Sequence, residues 1–427
     1  MSSPEFSTSA AAVAPAAAEV AEPTLGWRYY AVVPVLYASF MALGAVLVAP
    51  YQVPGLALNS ASLSQWDVEH YLVIKNQGYD LQRTAFFPAF PYFWRWLQLS
   101  AAGISGVNLV VFVATFMALA KEWKLTRPQQ LLALSVPSFL FMAVPYSEAL
   151  FFLGGTLALL GWRREQEGLA WLGILLCSVT RSAAFVFVPA LLLAGWLTRR
   201  ELTAPWRRLG GSCLAALGGL AFSVYVHYRA TGVWLAFSRA QQQFWDNHLQ
   251  WPKWPLENWG GPAVTRYEAV AMAAAVACLL YLYKAWRQAP QKAPAFGVAF
   301  SALYLVGVTV LTLATKGGWL ASLSRYTFAT PFFLVMLVEG RNQRLSTRQL
   351  LWLVLGAELV WLLLFRSFGH IHTLLMYVLL GAYGAVLLAN LHISAKVQKA
   401  ALWLSVSGNS ALMIWLLFRF LTGEWAG

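Results

Sequence analysis

The chain has 427 residues, of which 59% are hydrophobic and 11% charged. A soluble domain carries about 25% charge, so this composition excludes an ordinary soluble globule and leaves an integral membrane protein. The net charge of +13 comes from short basic clusters between apolar runs, not from a basic domain, which excludes nucleic-acid binding and fits the positive-inside pattern.

Residues 1–24 are mostly Ala, Ser, Pro and Glu without periodicity and read as a disordered cytoplasmic tail. They lack the basic and short apolar regions of a signal peptide, so the first helix is expected to remain as an anchor. Apolar runs follow near 29–49, 88–120, 128–143, 146–162, 168–180, 182–198, 208–230, 263–286, 294–315, 320–338, 348–366, 370–390 and 400–420. They predict an all-α polytopic bundle of about 13 transmembrane helices, with the long run at 88–120 broken around Ala101 to Ser105. Basic clusters fall at Lys121, Lys124 and Arg127, at Arg163 and Arg164, at Arg199 to Arg208, at Lys284 to Lys292, at Arg341 to Arg348, and at Lys396 and Lys399. With these in the cytoplasm, the N-terminus is inside. The other face then receives the loop 50–87, Pro145 to Glu148, the turn at Arg181, the loop 231–262, Leu323 to Tyr326, and Arg366 to His372. Cys177, Cys213 and Cys278 lie in apolar runs without metal spacing and read as small buried hydrophobes.

Nearly every polar group of chemical interest falls on that second face. Trp66-Asp67-Val68-Glu69-His70-Tyr71 opens a candidate interfacial helix over 68–76. Asp67 could serve as a general base or as a helix N-cap with Glu69 in the first turn. Asp67 and Glu69 form an acid-x-acid pair, but two acids fall short of a metal's coordination number, and no metal is expected. His70 could exchange a proton near neutral pH. Phe86-Phe87-Pro88-Ala89-Phe90-Pro91 reads as a rigid helix start, which would set a fixed wall beside Asp67. Tyr146, Ser147 and Glu148 begin another helix, where Glu148 either caps or faces a substrate.

Arg181 and Arg325 stand between apolar runs, and an arginine there must pair or face a polar cavity. Guanidinium suits phosphate, so phosphate anchoring by at least one of them is expected over mere pairing with Asp67, Glu69 or Glu148. The loop 231–262 offers Gln241 to Gln243, Trp245, Asn247, His248, Trp251, Trp254 and Trp259. Those residues suit a sugar, and they equally suit an interfacial tryptophan belt. Glu358 lies within an apolar run and reads as structural.

Trp66-Asp67 with His70-Tyr71, Gly78-Tyr79, Phe86-Phe87-Pro88 and Pro91 resembles the first luminal loop of the second mannosyltransferase of GPI-anchor synthesis and its prokaryotic relatives. Tyr146-Ser147-Glu148, Arg181-Ser182 and Ser324-Arg325-Tyr326 resemble the later motifs of that family, in order. Ala183 and Lys75 depart from its pattern. The resemblance implies a C-type glycosyltransferase fold with a catalytic module over 25–340, followed by C-terminal helices over 341–427 of unknown role. It implies an inverting, metal-independent transfer of a sugar, mannose first, from a polyprenyl-phosphate donor to a lipid, glycan or protein hydroxyl. Asp67 would be the base, with Glu69 and His70 beside it. Arg181, Arg325 and Tyr326 would bind the donor phosphate. Trp66, Tyr146, Glu148, Trp245 and His248 would contact substrate. The expected location is a prokaryotic plasma membrane with the site on the outer face; the alternative is the endoplasmic reticulum with a luminal site. A lipid-linked sugar flippase or transporter is the alternative function, although it would place charges along several helices at mid-membrane. A scaffold would not need these acids and arginines on one face.

Overall fold

A computed structural model describes residues 26–52, 59–199, 205–288, 294–342 and 395–427, with isolated helical positions between 348 and 359. In chain order the helices are α1 (Trp27–Gln52), α2 (Asp67–Gln77), α3 (Ala89–Leu97), α4 (Ala101–Glu122), α5 (Arg127–Leu134), α6 (Glu148–Arg163), α7 (Glu167–Thr180) and α8 (Phe187–Thr198). Then follow α9 (Pro205–Thr231), α10 (Ala236–Trp245), α11 (Gly261–Gln288), α12 (Phe296–Thr315), α13 (Leu323–Phe328), α14 (Pro331–Asn342) and α15 (Ala395–Leu421). Among the described residues there is no β-strand beyond a lone bridge between Glu257 and Trp319. The protein is an all-α membrane protein. Six of the described helices, α1, α4, α9, α11, α12 and α15, are long and apolar enough to cross a bilayer. Most of the run expected at 348–366, the run at 370–390, Glu358, the segment Arg366 to His372 and the tail 1–24 lie outside the described residues.

Three runs differ from expectation for local reasons, and that at 320–338 is split into α13 and α14, the second starting at Pro331. The stretch 88–120 does break, but at Gln98 to Ser100, just before the expected point. Gln98 takes a left-handed φ of 53°, and the Ser100 side chain caps α4 by accepting the Gly103 N–H at 3.1 Å. The run 128–143 is not one spanning helix. Its first part, α5, starts on a Thr126/Gln129 capping box and ends at Leu134. Pro137, which has no N–H to donate, then opens a 3-10 turn to Met142.

Helices α6 and α7 form an antiparallel pair joined by a short turn. Their backbones touch through glycine: a methyl on Gly161 would lie 2.8 Å from Ala170 Cα, and one on Gly173 would lie 3.0 Å from Ala158 Cα. This close pairing brings Glu148, first residue of α6, and Arg181, just beyond α7, to the same end. At the opposite end Arg163 and Arg164 pair with Glu122, and Arg208 pairs with Glu167. Between the two ends Phe151, Phe187, Phe300, Tyr304 and Phe332 form an aromatic layer, with Tyr304 and Phe332 centroids 4.7 Å apart. Cys177 and Cys278 are buried.

The final helix α15 packs on the same body. Asn409 donates to Ser135 Oγ at 3.1 Å, and Phe420 stands edge-on to Tyr146. The loop after α10 is zipped to the turn after α12 by main-chain hydrogen bonds. His248 and Gln250 N–H donate to the Thr315 and Ala314 carbonyls, and Lys253 and Glu257 N–H to those of Gly317 and Gly318. These bonds satisfy carbonyls that a helix end otherwise leaves without a partner.

Candidate functional site

At the Glu148 end of the bundle lies a cavity of about 540 Å³. Its floor is ionic. Arg325, on α13, donates from Nε to Glu148 Oε1 at 2.8 Å and from Nη2 to Asp67 Oδ2 at 2.9 Å. Its remaining nitrogen reaches Ser322 Oγ at 3.5 Å, and its guanidinium lies 4.5 Å from the Tyr146 ring and 4.7 Å from Phe141. Arg181 pairs with the same Glu148 oxygen through Nη1 and lies 4.7 Å from the Tyr326 ring. The side chains are 3% (Arg325), 8% (Arg181), 1% (Glu148) and 19% (Asp67) exposed, so Asp67 is the member most open to the cavity.

Asp67 is not an N-cap. Trp66 holds that position with φ 57° and ψ −123°, and Asp67 is the first helical residue of α2. A positive φ at a non-glycine residue costs about 1–3 kcal/mol and persists only where surroundings impose it. Here Trp66 is held by an indole hydrogen bond to the Glu424 carbonyl at 3.2 Å and by an edge-on contact with Trp425 at 5.0 Å. Asp67 Oδ2 goes to Arg325, while Oδ1 accepts no hydrogen bond among the described residues.

The structure thus brings Asp67, Glu148, Arg181 and Arg325 together and places Tyr326, Trp245 and His248 on the cavity wall. Both arginines are paired with acids, although Arg181 engages only Nη1, and its other side-chain nitrogens have no partner among the described residues. Tyr146 lies beneath the floor, stacked on Phe141 and under Arg325. Glu69 is exposed and does not line the cavity. His70 packs behind two wall residues, its ring stacked on Phe86 at 4.8 Å and edge-on to Trp245 at 5.4 Å. Burial lowers the His70 pKa from its ordinary value, outweighing the upward pull of Asp67. Trp66 touches the rim through Trp425. Trp251 is 90% exposed and, with Trp254, stands outside the cavity, whereas Trp259 lines it.

Three features have no counterpart in the expectations from sequence. Lys316, just past α12, lines the cavity, donates to the Ala321 carbonyl at 2.6 Å and lies 5.6 Å from the Tyr326 ring. Glu268 on α11 is fully buried, accepts the Ser324 N–H, and receives the Asn258 amide at 3.3 Å, so it fixes the start of α13. Trp425, after the last helix, closes part of the wall. Burial alone would raise the Tyr326 phenol, but Lys316, Arg181 and Arg325 together bring it below its ordinary value.

The lining combines two chemistries. Phe87, Phe185, Phe237, Val308 and Leu311 are apolar. Gln241, Gln242, Asn247, His248 and the indoles of Trp245, Trp259 and Trp319 offer amides and amphipathic rings. An ionic floor with both kinds of lining can hold a molecule with a charged centre, a greasy arm and a hydroxylated arm. Among the described residues no group of three or more His, Cys, Asp or Glu side chains is disposed to hold a metal. Compared with family profiles and with curated proteins, the chain matches neither.

Proposed function

We propose that the protein is an inverting membrane glycosyltransferase that moves a sugar, mannose first, from a polyprenyl-phosphate donor to an acceptor hydroxyl. The observation that carries this reading is the Asp67–Arg325–Glu148–Arg181 floor of a cavity lined by both apolar and amide–indole side chains. The likeness of the Trp66 to Pro91 segment, and of the motifs at 146–148, 181–182 and 324–326, to the second mannosyltransferase of GPI-anchor synthesis and its prokaryotic relatives supports it. On this reading the fold is that of the C-type glycosyltransferases with about 13 crossings, in a prokaryotic plasma membrane, and the cavity opens to the outer face. The basic residues at the opposite end, Arg163, Arg164 and Arg208, agree with that orientation.

Asp67 Oδ1 accepts the proton of the acceptor hydroxyl. The hydroxyl oxygen attacks the anomeric carbon opposite the phosphate, the carbon–oxygen bond to phosphate breaks, and the prenyl phosphate departs with the bonding pair. One displacement inverts the centre. Arg325 holds the Asp67 carboxylate in place through its 2.9 Å hydrogen bond, and nearby cations meet the charge that grows on the leaving phosphate. The proton on Asp67 passes to the departing phosphate or to water, so the step balances.

The test is transfer from polyprenyl-phosphate mannose by purified protein in detergent, wild type beside Asp67→Asn, with and without a chelator. The expected result is wild-type transfer that survives the chelator and falls by about 100-fold or more in the variant. Equal transfer by both proteins would remove Asp67 as base. No transfer by the wild type, together with vesicle scrambling of a labelled lipid-linked sugar, would replace the enzyme reading with a flippase.

A further inference from the structure

The four charges of the floor cancel: Asp67 and Glu148 are met by Arg181 and Arg325, and each nitrogen of Arg325 already contacts a protein acceptor, Nη1 only Ser322 Oγ at 3.5 Å. A floor of this kind orients carboxylates but exerts little net pull on an anion. Lys316 breaks the balance. No carboxylate lies within ion-pair distance of it among the described residues, and its protein contacts are one carbonyl and one ring. An ammonium has three donors, so two remain for a ligand. Its place is held from outside: Lys253 and Glu257 N–H bond the carbonyls of Gly317 and Gly318, which follow it directly. Arg181 and Lys316 both lie within 6 Å of the same ring, that of Tyr326 (4.7 and 5.6 Å). Both cations therefore sit beside Tyr326 in the lining of one cavity.

We propose that Lys316, together with the open edge of Arg181, takes the phosphate of the lipid donor, while Arg325 serves to hold Asp67 and Glu148. This rests on the donor reading above and adds to it a residue and a division of labour. A glycosyl prenyl phosphodiester carries one negative charge, and Lys316 supplies a positive charge beyond the paired floor; Asp246 also lines the cavity, but its side chain is 92% exposed and screened by water. When the glycosidic bond breaks, the departing phosphate monoester gains negative charge, so the attraction of Lys316 grows along the reaction. The apolar residues Phe185, Phe237 and Leu311 line the same cavity and give the prenyl arm a surface.

Binding is measured by calorimetry in detergent with citronellyl phosphate as the probe, beside inorganic phosphate and the uncharged citronellol. The proteins are wild type, Lys316→Arg, Lys316→Met and Lys316→Gln. The last keeps a donor for the Ala321 carbonyl and removes only the charge, so it isolates binding from local packing. Expected is saturable binding of citronellyl phosphate by wild type and Lys316→Arg, weakened about tenfold or more in Lys316→Met and Lys316→Gln, with citronellol indifferent to all substitutions. Unchanged binding in Lys316→Gln would overturn this inference and leave the donor reading standing. A wild type that binds no prenyl phosphate would overturn both. Inorganic phosphate bound as tightly as the prenyl ester would assign the site to free phosphate and overturn the lipid assignment.

Discussion

The protein carries two clusters built from the same materials, acids against arginines, at its two ends. At one end Glu122 meets Arg163 and Arg164, whose side chains are 49% and 47% exposed. At the other Glu148 meets Arg181 and Arg325, and all three side chains are under 10% exposed. Residue type does not separate the two clusters; desolvation does. An exposed pair is screened by water and contributes little. A buried one must be complete, because removal of one partner leaves an uncompensated charge in an apolar medium. The first cluster decorates a surface, and the second organises a cavity.

The comparison is tested most severely by Glu148→Gln, which leaves Arg181 and half of Arg325 without a counter-charge. The expected cost is about 3–5 kcal/mol, read as a large fall in melting temperature or loss of monodisperse protein. A melting curve like that of the wild type would mean that water reaches the floor freely. Asp67→Asn comes next. Asp67 is the most open member and retains an oxygen for Arg325, so the fold is expected to hold while transfer falls by about 100-fold or more. A collapse in stability with no separate effect on turnover would make Asp67 structural.

A smaller effect follows from His70. Its pKa is lowered in the folded protein by burial, against Asp67, Glu69 and Asp80, which raise it, and with a downward push from Arg83. The unfolded chain then binds a proton more readily than the folded one. Stability from this residue is complete above the ordinary value of 6.5 and is lost as pH falls below it. His70→Phe, which keeps a ring against Phe86, is expected to lose less stability than wild type between about pH 7.5 and about pH 5.5. An identical acid dependence in the two proteins would show that another group carries it. Least is expected of Glu122→Gln: under about 1 kcal/mol in stability and no change in transfer. A large loss there would erase the contrast between the two ends.

Much of this was legible from the chain alone, and the misses have physical causes. Hydropathy marks the long spans because a bilayer demands about 20 apolar residues. Asp67, Glu148, Arg181 and Arg325 can each be picked out as polar residues at the ends of apolar runs. Their mutual pairing cannot, since Asp67 and Arg325 are 258 positions apart and Glu148 and Arg325 are 177 apart. The pairing of Asp67 with Glu69 was open to a helical argument. Two positions apart on a helix means about 200° around the axis, so the two carboxylates face different ways. Glu268 could have been found by the rule applied to Glu358, that an acid within an apolar run needs a reason. Lys316 was hidden by its position, because a lysine just past an apolar helix looks like ordinary flanking charge. Trp425 carried no signal; nothing in a residue beyond the last apolar run says that it folds back onto Trp66.

That last contact bears on how the protein comes into being. Trp66 leaves the ribosome early, whereas the carbonyl of Glu424 and the ring of Trp425 that hold it belong to the segment after α15. Until α15 has been threaded into the bilayer, the strained backbone at Trp66 has no anchor and the wall has a gap. A nascent chain with most of its helices already inserted therefore cannot present a finished cavity. Competence waits on α15, however early the other helices have inserted.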